Sequence, residues 1–139
     1  MWRDMQRLTH EQGLPFRRPV VFPQNTVLAA RVATVAARDG WINGFAPAVY
    51  HANFAEGRDL SDPMTLAPLI NAAGAEAEAV LVEAQSQAVK AELRAATDEA
   101  ASKGVFGAPS FVTDDGELFW GHDRMDQAIN WAALPALRI

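Results

Sequence analysis

Apolar positions in the first dozen residues recur at helical spacing. Met1, Met5 and Leu8 share one face with Trp2 beside them, while Arg3, Asp4, Gln6 and Arg7 fill the other. Gly13 can take the left-handed position past the last turn and Pro15 forbids continuation. The spacing therefore predicts a helix that opens the chain without an N-cap. Three prolines, at 15, 19 and 23, make residues 14–22 an extended connector with at most a short edge strand. Asn25 or Thr26 then caps a helix through Arg38, with Leu28, Val32 and Val35 inward and Gly40 as its stop. A further helix is expected over Trp41–Glu56, anchored in the core by Trp41, Phe45, Tyr50 and Phe54.

Asp62-Pro63 reads as an N-cap followed by proline at the first helical position. Leu66, Leu69 and Ile70 form the buried stripe of that helix, and Gly74 stops it. Ala and Glu dominate residues 75–84, which favours helix, although Val80-Leu81-Val82 leaves a strand open. A longer helix over Ser86–Lys103 turns Val89, Leu93 and Ala96 inward. The pattern changes at Gly104. Ser110–Thr113 is a short β-prone run, Asp115-Gly116 signals a tight hairpin, and Glu117–Trp120 is the return strand. Gly121 breaks it, and His122 or Asp123 caps a last helix with Met125, Ile129 and Ala132 inward.

Composition narrows the function classes. Twelve Lys and Arg against seventeen Asp and Glu give 139 residues a net charge of −5. That balance argues against a nucleic-acid binder, whose footprint would be basic, and the adjacent Arg17 and Arg18 do not make a patch. No run is long and apolar enough to suggest a membrane span. The first residues are charged and precede no apolar stretch of leader type, so a cytoplasmic location is expected. With no cysteine, these residues can form neither a disulfide, nor a thiolate zinc site, nor a Cys-x-x-Cys redox pair.

The sequence contains no phosphate loop, dinucleotide loop or nucleophile elbow. His10, His51 and His122 do not pair at metal-ligand spacing, so no metal site is expected. Ser61 and Ser86 sit at cap-like positions, which explains them without catalysis. Two segments carry more. In Gly104–Phe111, a proline opening a strand after a glycine-rich approach invites a cis Ala108–Pro109 bond, which would turn the backbone of Ala108 outward toward an extended peptide ligand. A trans proline at a strand start fits the same residues. In Trp120–Arg124, a strand ends where a helix begins. Asp123 there can cap the helix or accept hydrogen bonds from a ligand ammonium.

Taken together, four segments resemble the 2-hydroxychromene-2-carboxylate isomerase family, a neighbour of the kappa-class glutathione transferases in the DsbA-like thioredoxin superfamily. They are Gly104-Val-Phe-Gly-Ala-Pro-Ser-Phe111, Leu118-Phe-Trp-Gly-His-Asp-Arg124, Ala48–Phe54 with Gly57-Arg-Asp-Leu60, and Phe22-Pro-Gln-Asn25. The resemblance implies an α/β, predominantly helical, thioredoxin-like fold of DsbA type with a helical insertion. It divides the chain into a helix and connector at 1–19, the insertion at 20–103, and a closing hairpin with its helix at 104–139. The family's opening strand–helix–strand unit, which carries its catalytic Ser or Cys, has no counterpart in these residues, so no catalytic residue is assigned.

The same resemblance implies glutathione as cofactor and a small aromatic substrate. Ala108, beside Pro109, would pair its backbone with the cysteinyl part of glutathione. His122 and Asp123 would hold the γ-glutamyl end, with Asp123 meeting its ammonium. Asn25 would border the substrate cleft, and Arg124 would brace the helix start. The implied reaction is a glutathione-dependent isomerisation, or a kappa-like transfer. The alternatives are a DsbA-family thiol–disulfide oxidoreductase and a non-catalytic binding module. Without flanking strands the first hairpin strand would be an open edge, so the chain is expected either to be a piece of a longer protein or to cover that edge by association, as a homodimer or with another segment.

Overall fold

The computed structural model describes residues 1–134. The chain divides into two compact units, Met1–Leu93 and Arg94–Ile139. This border falls within a helix and differs from the family-derived segments 1–19, 20–103 and 104–139, the last five residues of which lie outside the described residues.

The first unit is helical. Helix α1 (Trp2–Glu11) lacks a side-chain cap, and Gly13 follows it at φ +66°. Its Trp2 packs edge-on to Phe22 (ring centroids 4.7 Å) and lies under the Arg18 guanidinium at 5.0 Å, so aromatic and cation–π contacts hold α1 to the connector. The connector forms no strand. Helix α2 (Val27–Asp39) ends on Gly40 at φ +85°. It is followed by α3 (Ile42–Phe54), α4 (Pro63–Ala72) and α5 (Ala77–Glu83). Asp62 caps α4 by accepting from the Met64 N–H (2.8 Å). The Glu76 carboxylate accepts from the Glu78 and Ala79 N–H groups, which commits residues 77–83 to helix and excludes the strand alternative.

Helix α2 packs on α3 and α5, and α4 packs on α3 and α5. Between them Val32, Val35, Phe45, Leu66 and Ile70 are fully buried, joined by Val89 from α6 (Gln87–Ser102). Each such side chain contributes about 1.5–3 kcal/mol. Two expectations need correction. Tyr50 is 65% exposed rather than a core anchor, because it lies on the α3 face opposite the one that carries Phe45 into the core. Ala96 is exposed rather than inward.

The second unit contains the hairpin and the last helix. Strand β1 (Ser110–Val112) pairs antiparallel with β2 (Leu118–Trp120) in the register Ser110↔Trp120, Phe111↔Phe119, Val112↔Leu118. The turn is a three-residue loop, not the two-residue one its Asp-Gly suggests. Asp115 has negative φ, whereas the two-residue form needs positive φ at both central residues. Gly116 alone turns left-handed (φ +88°), and the Thr113 N–H reaches Glu117 O (3.0 Å).

A 3₁₀ turn (His122–Arg124) leads into α7 (Met125–Ala133). Neither His122 nor Asp123 caps it. Ala128, not Met125, Ile129 and Ala132, is the buried residue of α7, and Ile129 is 58% exposed. Met125, Ile129 and Ala132 are all exposed, because the face they share has no covering layer among the described residues.

Candidate functional site

Two places bring polar groups to accessible surface or open space. The first is the start of the hairpin. Gly121 N–H donates to Pro109 O (3.0 Å) and Thr113 N–H to Glu117 O (3.0 Å). Antiparallel ladders alternate, so the intervening Ser110 and Val112 point N–H and C=O away from β2. Ala108, one residue before Pro109, continues that outward series. Among the described residues, neither its N–H nor its C=O takes a hydrogen-bond partner, and the residue is exposed. The Ala108–Pro109 bond is cis.

Local packing fixes this segment. The Ser110 hydroxyl donates to Gly107 O (2.6 Å). A β-carbon on Gly107 would sit 2.7 Å from Trp120 Nε1, so glycine permits the Phe106–Trp120 ring contact at 5.1 Å. Across the hairpin, Gly121 has φ +114° and ψ 149°, a conformation that is essentially glycine's alone. That kink carries the chain into His122 and Asp123, both exposed. The Asp123 side chain is 80% exposed, and its carboxylate lies 3.9 Å from Arg124 Nε. Since it caps no helix, it remains an accessible anion two residues past the Gly121 kink. Arg124 also reaches Gln127 (3.3 Å) within the first turns of the helix.

The second place lies wholly in the first unit. A cavity of about 490 Å³ opens between the connector, α2 and α3, walled by Phe22, Ala30, Ala33, Val49 and Phe54 among others. Gln24 spans its rim. Its Oε1 accepts from the Leu60 N–H (3.0 Å), and its Nε2 donates to Arg58 O (3.1 Å) and Asn53 Oδ1 (3.0 Å). Asn25, the expected cleft residue, accepts from the Val27 N–H (3.2 Å) at the start of α2 and lines a separate 310 Å³ hollow with Asp59 and Ser61. The structure thus does not bring Asn25 together with Ala108, Pro109, His122 and Asp123 in one unit. Sequence reasoning missed Gln24 and Asn53. Both lie inside segments that carry the family resemblance, but 29 positions separate them and only folding joins them.

The remaining candidates have structural partners. Ser86 caps α6 by accepting from the Val89 N–H (3.2 Å), and Ser61 donates to Asp59 (2.7 Å). That hydroxyl bond, and after it a second bond from the Ser61 backbone N–H (2.8 Å), hold the Asp59 carboxyl below its ordinary range. His51 faces Glu56 at 3.5 Å. Among the described residues no group of three His, Cys, Asp or Glu could hold a metal ion, and no helix is long and apolar enough to cross a membrane.

Comparison with known proteins adds three findings. The family model described as the DSBA-like thioredoxin domain matches residues 1–130. A 2-hydroxychromene-2-carboxylate isomerase from Sphingobium xenophagum is 32% identical over 126 residues, covering 91% of this chain and 63% of the relative. A solved structure of a 2-hydroxychromene-2-carboxylate isomerase superposes with a TM-score of 0.80 at 22% identity, covering 92% of this chain and 62% of the other. The chain therefore spans less than two thirds of the length of the relatives it matches, and the shared fold is thioredoxin-like.

Proposed function

The chain belongs to the DSBA-like thioredoxin domain family, and from that premise we propose that it serves a glutathione-dependent isomerisation of the 2-hydroxychromene-2-carboxylate isomerase type, acting on a small aromatic compound. The observation that carries this reading is the backbone of Ala108, without a partner among the described residues, at the hairpin end where the Pro109–Gly121 hydrogen bond also holds the segment that carries the exposed Asp123. An extended peptide needs one donor and one acceptor from its binding strand, and Ala108 offers both. A γ-glutamyl ammonium needs an accessible carboxylate within the same short reach, and Asp123, just past the Gly121 kink, would supply it. The residues thus fit the group. When bound, glutathione supplies a thiol for reversible addition to a conjugated system, which lets a double bond rotate.

The chain's own residues bind and orient. Pro109 O is occupied by the Gly121 N–H, so the hairpin holds Ala108 and the His122–Asp123 turn at one end. His122 would lie against the γ-glutamyl end beside Asp123. Asn25 would border the substrate, which is the less direct part of the reading. No residue of this chain is assigned to activating the thiol.

Titrating reduced glutathione into ¹⁵N-labelled chain tests this. The backbone amides of Ala108 and Asp123 should shift in concert, and Asp123→Ala should weaken binding roughly tenfold, as for loss of one charge-assisted hydrogen bond. Absence of shifts at both positions would sink the reading.

A further inference from the structure

Gln24 determines which way the Asn53 amide points. Arg58 O can only accept, so the Gln24 atom 3.1 Å from it is the donor Nε2. The same Nε2 is 3.0 Å from Asn53, so the Asn53 atom facing it is the acceptor Oδ1. The Leu60 N–H on Gln24 Oε1 fixes the other end in the same sense. The network thus assigns both amides without ambiguity. Asn53 Nδ2 is left turned away, with two N–H donors and no partner among the described residues. Asn53 is only 6% exposed, yet no sealed side-chain nitrogen or oxygen among those residues lacks a partner, so Nδ2 must reach open space. The open space beside Asn53 is the 490 Å³ cavity.

A cavity of this size falls in the range of small-molecule pockets, and its wall is aromatic and aliphatic with few polar groups. We infer that the first unit carries a binding site for a neutral, ring-containing carbonyl compound whose oxygen accepts from Asn53 Nδ2. Phe22, Phe54 and Val49 would cover the ring faces, while Ala30 and Ala33 leave room for the ring because their side chains are short. Neutrality follows from the wall. It contains no charged residue, and an unpaired carboxylate buried there would lose hydration with no cation to replace it. A hydrocarbon of the same shape would fill the space but leave the Nδ2 donors unsatisfied. This inference goes beyond the glutathione reading and does not rest on it, since every residue invoked lies in the first unit.

Acetophenone, ethylbenzene and benzoate share a ring and differ only in the acceptor and its charge. Added separately to ¹⁵N-labelled chain without glutathione, acetophenone should shift the Asn53 side-chain amide and the Ala30 and Ala33 backbone amides. Ethylbenzene should bind roughly fivefold more weakly, the worth of one hydrogen bond. Benzoate should bind at least about tenfold more weakly. Asn53→Asp keeps the acceptor for Gln24 while removing the donor, and should abolish the preference for acetophenone over ethylbenzene. Ala33→Phe fills the cavity and should abolish binding of all three. Equal affinity for acetophenone and ethylbenzene in the unaltered chain would overturn the inference, as would acetophenone shifts that leave Asn53 unmoved. Both outcomes are readable even where a variant fails to fold, and neither bears on Ala108 or Asp123.

Discussion

Gln24 and Gly121 show how much a single position can decide. Gln24 satisfies three backbone or side-chain groups on two segments, so it ties the connector to the end of α3 and to the loop after it. Removing it leaves the Leu60 N–H and Asn53 Oδ1 without partners in a largely buried setting. Gln24→Ala is expected to cost about 2 kcal/mol, read as a lowered thermal midpoint. Its importance was not legible in the sequence, where an isolated glutamine in a proline-rich connector looks like any solvated polar residue. Gly121 was legible as a break. Why it must be glycine was not, because that depends on φ and on the Asp123 carboxylate, which any added β-carbon would meet. Gly121→Ala should destabilise the second unit by about 1–3 kcal/mol, the usual cost of forcing a side chain into such a conformation. It should also perturb glutathione binding if Asp123 is displaced.

At the level of elements, a polar tie joins the hairpin to α7. Trp131 Nε1 donates to Asp115 Oδ2 (2.8 Å), and Phe119 meets the Trp131 ring at 6.4 Å. The Thr113 hydroxyl, and after it the Trp131 indole, hold the Asp115 carboxyl below its ordinary range. The sign of the pH effect follows. A carboxyl whose folded pKa is depressed contributes stability above its unfolded value, near 3.9, and loses it as pH falls through the lower folded value. The Trp131 indole N–H resonance should therefore stay constant from pH 7 to about 5 and move only below about pH 4. Asp115→Ala should displace it at neutral pH, and a resonance indifferent to that substitution would show the tie to be unformed. The sequence marked Asp115-Gly116 as a turn but not as a partner of α7, since a side-chain tie across 16 positions leaves no periodic trace.

The whole molecule is unequal in its burial. Among the described residues, all the buried apolar ones but Ala128 belong to the first unit. The second unit exposes Phe106, Val112, Trp120 and Ile129, and along β1 the outward N–H and C=O groups of Ser110 and Val112 meet no partner among the described residues. No lysine or bulge blunts that edge. The chain is accordingly expected to associate through β1 as its concentration rises, and Val112→Lys, which charges the edge without touching the β2 ladder, should lower the sedimentation-derived mass. A chain that sediments as a monomer across the micromolar range would contradict this.

The sequence by itself determined the helices of the first unit except over residues 75–84, where it left a strand open, along with the stops at Gly13, Gly40 and Gly74, the hairpin, and the family the chain belongs to. Those features rest on local rules: periodicity, capping, and the φ values open to glycine and proline. Membership rests on short motifs that survive as strings. Tertiary structure decided what no local rule encodes. It chose Ala128 over Met125, Ile129 and Ala132 as the buried residue of α7, because burial depends on which layer is present to cover a face. It left Ala108 without a partner among the described residues, where a ladder reached Pro109 and stopped. It also set the Asn53 donor into a cavity, because the direction of an amide is fixed by neighbours that lie far away along the chain.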